Sequence, residues 1–205
     1  MIAADVPSGA QRPEGAAFSL KREISRKLLH LATALVPIGY HFGIPVRWIS
    51  SAFAVASILA LGVEWLRWNT TTVGTPFTRW FGPLLRPREA HHLTGATWLC
   101  LSSLAAVVLL PAPAAIAALW CATIGDPAAA IVGRALSPTG GRKTWAGSIA
   151  CAVCSAIGVW WLTSATPMAA LAVGALAAVV ERPTRPLDDN VRVTAATGLL
   201  SLWLS

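Results

Sequence analysis

A chain of 205 residues has room for one domain. It is 55% hydrophobic and only 12% charged, with a mean hydropathy of +0.61, which excludes a soluble or disordered protein and points to the membrane. Sixteen Lys and Arg against nine Asp and Glu give a formal charge of +7. Those charges fall between apolar stretches and not on one basic face, so nucleic acid is excluded as a partner.

Residues 1–20, rich in Pro, Gly and Ala, read as a disordered cytoplasmic tail. They lack a basic stretch followed by an apolar core, so no signal peptide is expected. Lys21, Arg22, Arg26 and Lys27 then precede a first apolar segment, 28–45, and a second runs over 46–65. Residues 66–92 read as a polar, proline-containing loop carrying Arg67, Arg79, Arg86 and Arg88. Further segments follow at 95–110, 114–135, 145–163 and 168–180, and a short last one at 193–204. The expected fold is all-α: a polytopic membrane helix bundle of about seven spans, forming a single domain over 21–205.

The charge distribution supports that count. With a cytoplasmic N-terminus, Arg47 is the only Lys or Arg on the far side, as the positive-inside rule requires. Trp65, Trp98 and Trp145 would then lie at the inner boundary and Trp48, Trp160 and Trp161 at the outer, whereas Trp120 fits neither belt. The expected location is a bacterial-type inner or plasma membrane. Cys100, Cys121, Cys151 and Cys154 all sit in apolar runs; the Cys151–Cys154 spacing lacks a second ligand pair, so these are packing residues.

The stretch from Ala122 to Ile149 concentrates the chemistry. A lone carboxylate, Asp126, lies in an apolar run, at a cost of roughly 2.5–3.5 kcal/mol for a membrane helix. Gly125-Asp126-Pro127 reads as a helix start within a helix, with Asp126 as N-cap and Pro127 at the first position. A break at membrane depth is tolerated where it faces protein or a wet cavity. The plainer alternative is that Asp126 only caps a kinked helix and Arg134, Arg142 and Lys143 only anchor its end.

On the predicted topology one face collects Lys27, His30, Glu64, Arg67, Glu89, Asp126, Arg134, Arg142, Lys143, Glu181, Asp188, Asp189 and Asn190. Carboxylates beside cations suit phosphoryl transfer, because Mg²⁺ takes one or two carboxylates plus substrate phosphates, and Arg and Lys neutralise phosphate oxygens. Gly140 and Gly141 beside Arg142 and Lys143 would bring backbone N–H groups to a phosphate at a helix start. Each residue also has a plainer reading. Arg142 and Lys143 set topology, Asp188-Asp189-Asn190 forms a turn or cap, Glu64 and Glu89 pair with Arg67 and Arg86, and His30 is a polar interior residue. His41 is incidental, and His91 and His92 lack a third ligand.

Taken in order, Arg26-Lys27-Leu28-Leu29-His30, Glu89 with Leu93-Thr94-Gly95-Ala96-Thr97, Gly125-Asp126-Pro127-Ala128-Ala129 through Gly133-Arg134, Lys143-Thr144-Trp145-Ala146-Gly147-Ser148, and Glu181 with Asp188-Asp189-Asn190 carry a resemblance. The chain resembles the CTP-dependent lipid-alcohol kinases, which include dolichol kinases, yeast-type diacylglycerol kinases, and phytol and farnesol kinases. The Lys143–Ser148 and Asp188–Asn190 segments look most like the phytol and farnesol branch.

The resemblance implies transfer of a phosphoryl group from CTP or a related nucleotide to a lipid alcohol, an isoprenoid such as phytol or farnesol, at the cytoplasmic face. It implies Asp126, Lys143 and Arg134 as catalytic residues, and Gly140, Gly141, Arg142, Lys143, Thr144 and Asn190 around the nucleotide. It further implies His30, Glu89 and Thr94 near the acceptor, and Mg²⁺ on Asp126, Asp188 and Asp189. Membrane lipids are partners, and a homo-oligomer is compatible with this reading. The rivals are a phosphatidate cytidylyltransferase-like enzyme, whose closing Lys-Arg…Lys-Asp…Asp signature is absent here, and a small transporter.

Overall fold

A computed structural model describes residues 30–136, 143–182 and 187–205. Arg26, Lys27, Gly140, Gly141, Arg142 and the predicted 1–20 tail lie outside the described residues. Among the described residues every regular element is helical and no strand occurs. These elements are α1 (Leu35–His41), α2 (Val46–Asn69), α3 (Thr71–Phe81), α4 (Gly95–Leu109), α5 (Ala112–Trp120), α6 (Asp126–Leu136), α7 (Trp145–Thr163), α8 (Pro167–Glu181) and α9 (Asp189–Leu204).

Helix starts follow from short polar side chains. Thr94, Thr144 and Thr166 each accept a hydrogen bond from the backbone N–H three residues on, and Asp188 accepts from Asn190, which caps α4, α7, α8 and α9. Three helical stretches are long and apolar enough to cross a membrane: Val46–Asn69, Ala112–Leu136 and Trp145–Thr163, with Gly95–Leu109 and Pro167–Glu181 shorter. The 24 residues of α2 rise about 36 Å, which exceeds a bilayer's hydrocarbon thickness.

Three expectations need correction. Residues 66–92 are not a plain loop, since α3 and two 3₁₀ turns, Gly82–Leu84 and Pro87–Ala90, fill them. The 28–45 segment is interrupted: a helical turn from His30 gives way at Ala34 before α1. Pro37 explains the interruption, because it has no N–H to offer the Thr33 carbonyl and its ring crowds that oxygen. Nor is Gly125-Asp126-Pro127 a helix start. Asp126 has helical dihedrals (φ −65°, ψ −45°), not those of an N-cap, and α5 runs into α6 through a π-helical turn, Cys121–Gly125. The wider turn relieves the clash that Pro127 would impose on the carbonyl four residues earlier. The helix therefore crosses as one rod with a bulge immediately before its buried acid.

The packing is inverted relative to a water-soluble bundle. Small residues dominate its interior, among them Ala115, Ala117, Ala122, Cys121, Cys151, Ser155, Ala177 and Thr197, with a few larger side chains such as Leu119 and Val159 between them. Large apolar side chains face outward: Trp203 is 81% exposed, Leu109 and Met168 76%. Small residues let helix backbones approach closely, and lipid covers the outer apolar surface, as in integral membrane bundles. Gly147 shows the closeness, for a Cβ there would stand 2.5 Å from the Ala129 carbonyl oxygen of α6. Trp120 fits neither aromatic belt because it lies inside, its indole packed on Gly158 and donating to the Cys154 carbonyl at 3.0 Å. His41 also has a structural partner, the Leu162 carbonyl, at 2.9 Å.

A candidate active site at the charged end of the bundle

The N-termini of α4, α7 and α9 and the C-termini of α2, α6 and α8 gather at one end of the antiparallel bundle. Glu64, buried in the penultimate turn of α2, organises the first part of it. Its carboxylate accepts from Arg67 Nε at 2.5 Å, from the Thr94 backbone N–H at 2.8 Å and from the Thr97 hydroxyl at 2.9 Å. Arg67 in turn donates to the Glu89 and His92 carbonyls at 2.7 and 2.9 Å. Glu89 is 2% exposed; its two oxygens accept from the backbone N–H groups of Gly95 (3.1 Å) and Arg86 (2.8 Å). Two buried acids thus hold the first turn of α4 in place, complementing its orphan N–H groups and dipole.

The Asp188-Asp189-Asn190 turn meets this structure directly. Asn190 Nδ2 donates to the Gly95 carbonyl at 3.0 Å and to Asp188 Oδ1 at 2.9 Å, which fixes the amide orientation. Its Oδ1 points into the interior with no hydrogen-bond donor. Arg86 reaches Asp189 at 3.3 Å and Arg88 reaches Asp188 at 3.0 Å. Burial pushes the Asp188 carboxyl up to about 6, aided by the adjacent Asp189 charge and opposed by the Asn190 N–H. Burial pulls the Arg86 guanidinium down, but Asp189, Asp188 and Glu89 more than reverse it, so its charge is held firmly.

A second group lies where α6, α7 and α8 meet. Lys143, just ahead of the α7 cap, pairs with the Glu181 carboxylate and also with the Glu181 carbonyl at the end of α8. Gly125, the residue before Asp126, packs directly on α7, where a Cβ would fall 3.3 Å from Cys151 Sγ. Six residues of helix separate Trp145 from Cys151, so Gly125, the neighbour of Asp126, meets α7 about 9 Å beyond its start. Gly133 of α6 meets the Thr144 hydroxyl and Gly147, with a Cβ on Gly133 falling 2.9 Å from Thr144 Oγ1. Arg134 sits half-buried in the last turn of α6.

The structure therefore joins Glu89, Thr94, Asp188, Asp189 and Asn190 into one network and pairs Lys143 with Glu181, while Asp126 sits buried just after the π-helical turn. His30 is buried in the helical turn before α1. The expected pairing of Glu64 with Arg67 holds, whereas Glu89 takes the Arg86 backbone N–H and the Arg86 guanidinium goes to Asp189. The sequence puts Glu64 on the charged face, Thr97 in a motif and Arg86 in a plain pairing, but gives none of the three a role in holding the site. The available signal is the one that singles out Asp126, namely a lone acid at the end of an apolar run.

Among the described residues no group of three or more His, Cys, Asp or Glu stands together as a metal cage. The donor set still suits Mg²⁺: two adjacent carboxylates and the undonated Asn190 oxygen are hard ligands, and this ion completes its shell with phosphate and water.

No protein-family model matches the chain. No solved structure matches it significantly. Among curated proteins, 148 residues are 28% identical to the CTP-dependent diacylglycerol kinase 1 of Saccharomyces cerevisiae, covering 70% of this chain and 51% of that protein. The match is to a lipid kinase. It supports the CTP-dependent lipid-kinase family at that level, and the chain spans about half the length of the curated relative it matches.

Proposed function

We propose that this chain is a membrane phosphotransferase that uses CTP or a related nucleotide to phosphorylate a lipid alcohol to its monophosphate. The observation that supports it best is the gathering of buried carboxylates, cations and helix N-termini at one end of an inverted bundle that matches a CTP-dependent lipid kinase over 70% of its length. In this reading the bundle crosses seven times from a cytoplasmic N-terminus, and the charged end faces the cytoplasm.

The α7 N-terminus, which no carboxylate caps, and the cations beside it favour a triphosphate there through oriented N–H groups and charge. Lys143, Arg134 and Arg142 neutralise its oxygens, with Thr144, Gly140 and Gly141 at the α7 start. Asp188, Asp189 and Asn190 would hold Mg²⁺, with Asp126 as a further ligand or as the base, and the ion would supply charge neutralisation between phosphates. The acceptor hydroxyl, positioned near His30, Glu89 and Thr94, attacks the γ-phosphorus. The bond to the β-bridging oxygen breaks, CDP leaves, and the hydroxyl proton passes to a carboxylate. The protein contributes mainly positioning and charge.

The acceptor has two candidates. The Lys143–Ser148 and Asp188–Asn190 segments resemble the phytol and farnesol branch, whereas the relative is named for diacylglycerol. Purified protein assayed with CTP, UTP and ATP against phytol, farnesol and diacylglycerol tests the proposal. A lipid monophosphate with CDP release is expected, and Asp126→Asn should abolish it. Pyrophosphate release would make the protein a cytidylyltransferase; near-normal turnover by the variant would remove Asp126 from the mechanism.

A further inference from the structure

Helix α3 and the last turns of α2 border a shallow, open cleft of about 560 Å³ outside the site described above. Its α3 wall is one helix face: Thr71, Thr75, Thr78 and Arg79 line it, with Gly74 set against the Arg67 carbonyl. At 100° per residue these positions fall on one side, while Val73, Pro76, Phe77 and Trp80 fall on the other. No residue of α3 is buried, and Trp80 is 75% and Phe81 51% exposed. Phe77 meets Arg67 of α2, but most of the apolar face stays open, and such an amphipathic helix lies in the boundary between headgroups and acyl chains. Its polar face then looks onto the headgroup layer.

The chemistry of that face is specific. Arg79 makes no ion pair or hydrogen bond among the described residues, unlike Arg67, Arg86 and Arg88, which are engaged. The threonine hydroxyls beside it are donors, and no carboxylate lines the cleft. Residues 66–92 carry four arginines against one glutamate. A free guanidinium among hydroxyls, at the depth where an interfacial helix places it, complements a phosphate diester.

We propose that this cleft binds the headgroup of an anionic membrane phospholipid, with Arg79 pairing the phosphate and Thr75 and Thr78 donating to it. The site is separate from the catalytic residues, and this inference stands independently of the kinase reading. Arg67, which lines the cleft and stacks on Phe77 at 5.0 Å, joins it to Glu64 and to the Glu89 carbonyl.

The test is native mass spectrometry of the full chain, released from mixed phosphatidylglycerol and phosphatidylcholine nanodiscs. The wild type should retain phosphatidylglycerol over phosphatidylcholine, and Arg79→Gln should lower that ratio about fivefold, the effect of one cation at an anionic surface. Thr78→Val, which changes no charge, should lower it as well. Arg47→Gln, at the opposite end of α2, should leave it unchanged. A wild-type ratio in Arg79→Gln or Thr78→Val, or an equal loss in Arg47→Gln, would overturn the site. So would displacement of the lipid by millimolar inorganic phosphate, which would make this a site for the free anion.

Discussion

Glu64 illustrates how a single side chain can decide the geometry of a site it does not itself touch. It is 3% exposed and neutralises Arg67 while accepting from the first turn of α4. Removing one partner of a buried pair leaves the other charge uncompensated, so Glu64→Ala should lose about 3–5 kcal/mol in denaturant unfolding in detergent. Glu64→Gln, which keeps an acceptor for Thr94 or Thr97, should lose less. Asp188 supplies the pH counterpart. Its carboxyl is raised from 3.8 to about 6, so the folded state binds its proton more tightly than the unfolded chain. The resulting stability is fully present below about pH 3.8 and is lost as pH rises through about 6. Thermal midpoints measured across pH 4–7 should fall over that window relative to Asp188→Asn, in which this contribution is missing; parallel profiles would disprove the shift.

At the scale of elements, the crossing of α6 and α7 depends on glycine. A Cβ at Gly147 would stand 2.5 Å from the Ala129 oxygen and 3.3 Å from the Gly133 Cα, both backbone atoms that yield only by parting the helices. Gly147→Ala should therefore cost about 1–3 kcal/mol and reduce turnover, since Lys143 and Asp126 flank that crossing. Gly62→Ala is the control: nothing lies within 4 Å of its Cβ, so helix propensity alone should stabilise α2 by about 0.5–1 kcal/mol.

The starts of α4 and α7 were legible because Thr94 and Thr144 sit where a capping side chain is needed, whereas the last helix, read from 193, begins at Asp189 behind its Asp188 cap. α3 was not legible. Its Thr, Gly and Pro read as loop chemistry, and in the proposed interfacial setting lipid covers most of its apolar face. The π-helical turn was hidden for another reason. Proline announces a disturbed ladder, but whether the helix breaks or widens depends on the neighbours packed around it.

For the molecule as a whole, the inverted distribution of large and small side chains agrees with the hydropathy, and the motif order agrees with the match to a lipid kinase. The side-chain partners within the site were beyond sequence, because they join residues such as Gly95 and Asn190 across two helix ends. The topology makes its own prediction. On a cysteine-free background, single cysteines replacing the exposed His92 and the turn residue Ser164 should react with an impermeant maleimide from opposite sides of the membrane. Labelling from one side would refute the antiparallel arrangement of spans between them.

The interior of Ala, Gly, Ser and Thr also governs how the bundle can move. Such side chains have few or no alternative rotamers, so the centre has little slack to release when a substrate arrives. Helices seated backbone against backbone slide or tilt as units. Room for the proposed nucleotide would consequently come from the rim, where long arginines and lysines can swing aside.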